Sequence, residues 1–181
     1  MATTGPNELA KYQIGKDKYV VVSKFNGEVL THIRQYGRSW DGVRMYPTLK
    51  GIVLRPVGFA NLVAMKDEIC DALQNCMGDV KVNLHKHIAR GIYVSVSCEF
   101  PVVNLRTYFL PTRENEPKPT QRGICLSIKE WVSFISVIDF LRADVKELKE
   151  AVSSICRGDE HSNQMAFYDC AYCNPFNLKP E

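Results

Sequence analysis

The stretch RQYGRSWDGVRMYPTLKGIVL, from Arg34 to Leu54, occurs a second time in the chain as RTYFLPTRENEPKPTQRGICL, from Arg106 to Leu126. Arg, Tyr, Pro, a basic residue, Gly, Ile and Leu keep their order, each 72 positions later, as from Arg34 to Arg106. Two copies within 181 residues predict two small units of the same fold. Each unit alone lies near the lower size limit at which a domain buries a sufficient core.

The residues around the first copy predict four strands and a helix. Asn26-Gly27 separates the β-rich runs KYQIGKDKYVVVSKF and EVLTHIRQY, and Asn-Gly favours a type I′ hairpin because both central positions need positive φ. A loop at 37–49 leads to a short apolar strand, GIVL. Pro56 ends that strand, since proline is tolerated in the first turn of a helix. Apolar residues at helical spacing follow over 59–73.

The second copy predicts the same order of elements, ending in a longer helix. Apolar and polar residues alternate from Ile92 to Phe100, PVVNLRTYF returns, and GICLSI matches GIVLRP. The helix carries an apolar seam at steps of three and four, made of Trp131, Phe134, Ile138, Leu141, Val145, Leu148, Val152 and Ile155. A seam of that length needs a partner, for which the helix of the first repeat is the natural candidate. Packing on its own sheet alone is the alternative.

The predicted fold is therefore α+β, with two β-β-β-β-α repeats that form an intramolecular pseudo-dimer. We assign the first repeat to residues 11–76, the second to residues 81–156, and a tail to residues 157–181. The tail has no usable periodicity.

Charge is segregated along the chain in step with the repeats. Residues 11–55 carry nine Lys or Arg against three Asp or Glu, and residues 81–129 carry eight against three. Residues 56–80 and 130–156 are net acidic. The strand regions are thus basic, and the helices are acidic.

The cysteines and termini indicate an intracellular, reducing compartment. The total of seven is odd, and free thiols behave as small hydrophobic residues in the apolar segments that hold Cys70, Cys76, Cys98, Cys125 and Cys156. The chain shows no apolar run that would cross a bilayer and no signal-peptide core at its start, so no membrane contact is expected. Cys170 and Cys173 with His161 lack the second cysteine pair typical of structural zinc, so we expect no metal or cofactor.

Cations and aromatic residues interleave across the strands and loop of the first repeat. They are Lys16, Lys18, Phe25, Arg34, Tyr36, Arg38, Trp40, Arg44 and Lys50. Single-stranded nucleic acid requires this mixture, because cations follow the phosphates and flat rings stack on unpaired bases. Arg34/Arg106, Tyr36/Tyr108 and Lys50/Arg122 keep their residue type in the second copy.

These residues resemble the DNA-binding core of the transcriptional coactivator positive cofactor four family. The resemblance rests on YQIGKDKYVVVSKFNGEVLTHIRQY and LKGIVL in the first copy and on YVSV, LRTYF and KPTQRGICLSIKEW in the second. It implies curved four-stranded sheets, pairing of two units through helices, and single-stranded DNA lying in grooves on the sheets. The implied phosphate contacts are Lys16, Lys18, Arg34 and Lys50 in the first repeat and Arg90, Arg106, Lys118 and Arg122 in the second.

The resemblance also implies positions for base stacking, at which the two repeats differ. Phe25 and Phe109 occupy such positions, whereas Gly37 stands where the family has a tryptophan, so Trp40 is assigned to that role instead. Ile92 stands where a basic residue is usual. We therefore expect two unequal grooves.

The sequence thus predicts sequence-nonspecific binding of single-stranded DNA in a nuclear protein of transcription regulation, or of DNA replication and repair. Transcription or replication proteins are the expected protein partners, and further oligomerisation stays open. Two alternatives are a protein-interaction adaptor with degenerate repeats and a single-stranded RNA binder. We expect no enzymatic activity, since the sequence pairs no nucleophile with a base and shows no metal centre.

Overall fold

The computed structural model describes residues 7–78, 80–114 and 116–153. Within them lie two four-stranded antiparallel sheets with the strands in chain order, each followed by helices, which confirms the predicted α+β fold and its two β-β-β-β-α repeats. The first comprises β1 Glu8–Gly15, β2 Lys18–Phe25, β3 Glu28–Arg38, β4 Met45–Leu54, α1 Pro56–Ala64 and α2 Lys66–Met77. The second comprises β5 Asn83–Ala89, β6 Ile92–Ser97, β7 Phe100–Phe109, β8 Lys118–Ser127, α3 Ile128–Asp144 and α4 Lys146–Glu150.

The predicted hairpin turn and helix start of the first repeat are confirmed. Asn26 and Gly27 have φ of 49° and 82°, and Phe25 pairs with Glu28 across the turn between β2 and β3. Pro56 is the first residue of α1. The predicted loop at 37–49 was too long, because β3 and β4 continue their pairing as far as Arg38 and Met45.

The predicted helical seam was too long as well. The helix α3 ends at Asp144, and Val145 adopts an extended conformation with φ of −126° before the short α4. Val145 and Leu148 are buried, but Val152 is 78% exposed. The apolar seam therefore ends at Leu148, and Ile155 lies outside the described residues.

The helices of each repeat pack on the sheet of the other repeat. The helix α3 lies against β1, whereas α1 and α2 contact β5, β6 and β7. Contact between helices of the two repeats runs mainly through α1 and the short α4, so the chief partner of the predicted seam is a strand rather than a helix. The buried side chains of both repeats form one hydrophobic core, which includes Phe59 and Trp131.

Polar contacts also join the two repeats. The Asn61 side-chain amide on α1 is buried and donates to the Ile88 carbonyl oxygen on β5 over 2.8 Å. The Lys18 ammonium lies 2.8 Å from a Glu130 carboxylate oxygen, and the Tyr12 hydroxyl donates to Asp144. If the two repeats shifted, the buried Asn61 amide would lose its hydrogen bond to the Ile88 carbonyl oxygen. This contact therefore favours one relative position of the repeats.

A disulfide joins Cys76, near the end of α2, to Cys98 in the turn between β6 and β7. The prediction that these two residues are free thiols was wrong, because folding brings together two positions that are 22 residues apart and lie in different repeats. Cys70 and Cys125 are free, as predicted. Cys156, Cys170, Cys173, His161 and the tail lie outside the described residues.

Candidate nucleic-acid interface

Arg34 and Arg106 occupy equivalent places on the faces of the two sheets that are turned away from the core. Each alternates along its strand with buried neighbours, Ile33 in β3 and Leu105 in β7, so each side chain projects to the opposite face. We call these surfaces the first and second outer faces. Arg34 Nη1 donates to the Thr48 carbonyl oxygen, and Arg106 Nη1 donates to that of Thr120 over 2.8 Å. The same contact thus positions both guanidinium groups and leaves further N–H donors on each.

The threonines that hold these arginines lie in matching irregularities of the two sheets. The register shifts between Arg34 and Tyr36 where β3 meets β4, and between Arg106 and Tyr108 where β7 meets β8. The Thr48 hydroxyl donates to the Gln35 carbonyl oxygen over 2.6 Å. The Thr120 hydroxyl donates to Thr107 in the same way, over 2.8 Å. A β-bulge redirects the chain locally, and here it turns a carbonyl towards each arginine.

A glycine lies opposite each arginine and allows the strands to approach closely. A Cβ at Gly51 would lie 2.6 Å from the Ile33 carbonyl oxygen, and one at Gly123 would lie 2.8 Å from that of Leu105. Any side chain there would displace the strand that carries the arginine. The recurrence of glycine at this position in the two copies therefore has a steric cause.

Paired tyrosines stand beside each arginine. On the first outer face, the Tyr19 and Tyr36 rings meet edge to face at 5.2 Å, and Lys11 Nζ lies 5.2 Å and 4.8 Å from their centroids. On the second, Tyr93 and Tyr108 meet at 4.9 Å. Burial raises the pKa of Tyr36 and of Tyr108, so both hydroxyls stay protonated at neutral pH.

Histidine replaces lysine beside the second pair of tyrosines. The His85 ring stacks on Tyr93 at a centroid distance of 4.8 Å and meets Tyr108 edge to face at 5.3 Å. His87 contacts Tyr93 at 5.1 Å, so both histidines lie on the second outer face. The pKa of His85 is lowered by partial burial among these rings.

The side chains predicted to stack on bases are exposed. Phe25 lies at the end of β2, Phe109 lies at the end of β7, and Trp40 lies fully exposed in the loop between β3 and β4. Trp40 stands between two cations, Arg38 and Arg44, of which Arg38 donates to Asp17 over 2.8 Å. The loop between β3 and β4 therefore presents an exposed indole ring to solvent.

Most of the predicted phosphate contacts are exposed at the rims of the outer faces. Lys16 and Arg90 lie in the turns that join β1 to β2 and β5 to β6, and Lys50 and Arg122 lie on β4 and β8. Lys118 is exposed at the start of β8, but its ammonium lies 2.6 Å from the Glu114 carboxylate. Glu114 thus partly neutralises the charge of Lys118, one of the phosphate contacts predicted in the second repeat.

Lys18 lies on the other side of the first sheet. It shares the strand face of the buried Val20 and Val22, and its ammonium donates to Glu130 and to the Cys125 carbonyl oxygen, both in the second repeat. The structure therefore places Lys18 in the contact between repeats, away from Arg34. Lys18, Val20 and Val22 occupy every second position of β2, so the sequence alone places their side chains on one face.

Sequence reasoning missed two matching clusters, Lys11 with Tyr19 on the first outer face and His85 with Tyr93 on the second. Tyr19 and Tyr93 hold equivalent register positions, opposite Arg34 and Arg106 respectively. This repetition was visible in the sequence, but the hairpin of the second copy is two residues shorter, so the offset of 72 does not align these tyrosines.

Two further kinds of site were sought in the described residues, a metal-binding cluster and a membrane-spanning helix. No three His, Cys, Asp or Glu side chains in residues 7–78, 80–114 and 116–153 gather closely enough to hold a metal ion. None of the helices in those ranges is long and apolar enough to cross a bilayer.

Comparison with known proteins finds similarity in the first repeat. Residues 12–65, from β1 to the end of α1, match the family described as Transcriptional Coactivator p15 (PC4). A Caenorhabditis elegans protein named "Putative RNA polymerase II transcriptional coactivator" is 40% identical over 63 residues, which cover 35% of this chain. The match spans about half of that relative, 49% of its length. The first repeat is thus similar to the transcriptional coactivator p15 (PC4) family over residues 12–65.

Proposed function

We propose that the protein binds single-stranded DNA without sequence specificity, through its two outer faces, and acts in transcription in the nucleus. The observation that carries this proposal is the duplicated arrangement of an arginine held by a threonine carbonyl beside a pair of tyrosines. The similarity of the first repeat to that family and the name of its relative support a role in transcription.

The chemistry of the outer faces fits an unpaired strand. The guanidinium groups of Arg34 and Arg106 keep donors available for phosphate oxygens, and exposed lysines and arginines border both faces. The exposed rings of Phe25, Trp40 and Phe109 offer flat surfaces to bases. Stacking needs no particular base, so the binding is nonspecific. Bases within a duplex are already stacked on one another, so duplex DNA is a poorer ligand.

The two faces contribute unequally. The first has the fully exposed Trp40 and Lys11, whose ammonium lies 4.0 Å from a Glu8 carboxylate oxygen. The second has His85 and a Lys118 ammonium that lies 2.6 Å from Glu114. We infer that the first face supplies most of the affinity at neutral pH and that the second extends the site. The common core of the repeats fixes the distance between the faces, so that they act as an intramolecular pseudo-dimer on one strand or two.

The proposed role is binding and not catalysis. Lysine, arginine and aromatic side chains dominate the outer faces, and they suit reversible recognition of phosphates and bases. Transcription proteins are the proposed protein partners. DNA replication and repair also expose single strands, so the same binding would serve those processes.

A titration of fluorescein-labelled oligothymidine with the full chain tests the proposal. We expect a saturable change in anisotropy. The affinity should fall as the salt concentration rises, and the plot of log affinity against log salt should have a slope of about 0.7 for each phosphate contact. Unlabelled oligothymidine and mixed-sequence single strands should compete equally, and duplex should compete poorly. A matched RNA strand that competes better than DNA would change the ligand assigned here.

A control variant separates the outer faces from general charge. Lys146→Ala removes an exposed cation on α4, where Lys146 pairs with Glu150, without touching either outer face. We expect it to bind like the unaltered chain. Absence of saturable binding by the unaltered chain at low salt would refute the proposal.

A further inference from the structure

Histidines lie on both outer faces, His32 on the first and His85 and His87 on the second, but of these His85 takes a position that a lysine holds on the other face. Lys11 on β1 and His85 on β5 hold equivalent positions, each diagonal to the tyrosine that lies opposite the arginine. Both contact that tyrosine and its partner on the next strand. A lysine ammonium is charged throughout the physiological range, whereas an imidazole gains its charge only as the pH falls towards its pKa.

We propose that protonation of His85 makes the affinity of the second outer face for single-stranded DNA depend on pH. At the equivalent position of the first face stands Lys11, whose ammonium lies 4.0 Å from a Glu8 carboxylate oxygen. This inference rests on the proposed function. Protonated His85 supplies at the second face the cation that Lys11 supplies at the first. The second face is thus a weak site at neutral pH and a stronger site in mild acid.

The surroundings of His85 allow it to accept a proton when a strand is bound. The imidazole is exposed on one side and stacks on Tyr93 with an angle of 9° between the planes. A cation over an aromatic face is attracted by the ring electrons, so the stack tolerates the charged form. A phosphate approaching from the exposed side favours that form further.

Charged and titratable groups surround His85 on three strands. They are His87 and Lys86 on its own strand, Tyr93 on β6, and Arg106 and Tyr108 on β7. The Lys86 ammonium lies 3.4 Å from a Glu68 carboxylate oxygen on α2, which partly compensates the charge of Lys86. Partial burial lowers the pKa of His85, so the free imidazole is neutral at pH 7. Bound phosphate reverses this balance, and by linkage the affinity rises as the pH falls.

Oligothymidine titrations at pH 7.5 and pH 5.0, each at several salt concentrations, test the inference. Thymine and the phosphodiester carry no group that titrates in this interval. For the unaltered chain we expect the affinity to rise about threefold in acid. The slope of log affinity against log salt should steepen by about 0.7, the signature of one added phosphate contact.

Three variants assign the effect to His85. His85→Lys should have the steeper slope at both pH values, and His85→Gln should have the shallower slope at both. Lys11→His places a second titrating group at the equivalent position and should roughly double the change of slope. The other histidines of the chain, His32, His87 and His161, are intact in all three variants, so a contribution from any of them would appear as a pH dependence that persists in His85→Gln.

The outcomes separate this inference from the proposed function. If the unaltered chain binds oligothymidine but its slope is independent of pH, or if His85→Gln retains the full pH dependence, the role of His85 is overturned and the proposed function stands. If no variant binds at either pH, both are overturned. Circular dichroism at pH 5.0 establishes that each variant is folded under the conditions of the titration.

Discussion

The ammonium of Lys18, in the first sheet, lies 2.8 Å from the carboxylate of Glu130, in the first turn of the second repeat's helix α3. The same carboxylate accepts a hydrogen bond from the Ser127 backbone N–H over 2.8 Å, and the Ser127 hydroxyl accepts one from the Glu130 N–H. Glu130 therefore completes a capping box and an ion pair between the repeats with one side chain. Gly15 provides the space, since a Cβ there would lie 2.5 Å from Glu130 Oε1.

Replacing Glu130 by glutamine should destabilise the fold and alter its response to acid. Burial alone would raise the pKa of Glu130, but hydrogen bonds from Lys18 and Ser127 outweigh it and lower that pKa. A lowered pKa stabilises the fold above the unfolded value of about 4.3, and this stabilisation is lost as the pH falls through the folded value. We expect Glu130→Gln to cost roughly 1 kcal/mol at pH 7. Its stability should fall less between pH 5 and pH 3 than that of the unaltered chain, and urea unfolding at several pH values measures both effects. Equal stability of both proteins at pH 7 would contradict this assignment.

Removing the two arginines should weaken DNA binding additively. Arg34 and Arg106 lie on different sheets and share no partner, so Arg34→Ala and Arg106→Ala should each lower the salt slope by about 0.7. The double variant should show the sum of the two changes in binding free energy. Arg34→Lys is the matched control, which keeps the charge and should keep the slope. A double variant no weaker than either single variant would argue against two separate faces.

Trp40 should report DNA binding through its fluorescence. The chain has two tryptophans, of which Trp40 is fully exposed and Trp131 is 1% exposed in the common core. Stacking on a base quenches an indole, so oligothymidine should quench the unaltered chain and leave Trp40→Phe unchanged in intensity. Trp40→Ala should bind roughly tenfold more weakly. Undiminished quenching in Trp40→Phe would place the responding ring elsewhere.

Freeing Lys118 should strengthen the second outer face. Its ion pair with Glu114 is exposed, so the expected gain is modest, and Glu114→Gln should bind oligothymidine about twofold more tightly at low salt. The gain should disappear in high salt and in a Lys118→Ala background. A gain that survives the loss of Lys118 would show that Glu114 acts by general repulsion.

Reduction of the Cys76–Cys98 bond should lower stability without unfolding the core. The bond closes a loop of 22 residues and joins the two repeats, so we expect its loss to cost about 3 kcal/mol of unfolding free energy. Cys76→Ser should match the reduced unaltered chain and should be insensitive to reductant. Denaturant unfolding with and without dithiothreitol measures this. If reductant destabilises Cys76→Ser equally, the bond is not the cause.

Local signals in the sequence located most of the fold. Asn26-Gly27 marks the hairpin because its turn requires positive φ. Pro56 marks the start of α1 because proline has no backbone N–H, which the first turn of a helix does not need. The end of the seam was missed, since Val145 suits a helix by its spacing but is extended in the structure. The disulfide was missed because the approach of Cys76 to Cys98 depends on the packing of the repeats, which no local pattern records.

The candidate site was predictable where the two copies preserve residue type, and less so elsewhere. Arg34 and Arg106 were found by their constant offset, and both lie on outer faces. Lys18 was assigned to phosphate by resemblance, although its side chain lies among the contacts between repeats. The equivalence of Lys11 and His85 became visible only when strand register aligned them, because the hairpins differ in length.

The single core shared by the two repeats has an evolutionary consequence. Where two identical subunits associate, each mutation appears on both surfaces, and neither surface can specialise alone. Here one polypeptide supplies both halves, so Lys11 and His85 are inherited independently while the apolar contacts hold the halves in place. Fusion of the duplicated units thus allows an asymmetric molecule to evolve from a symmetric plan.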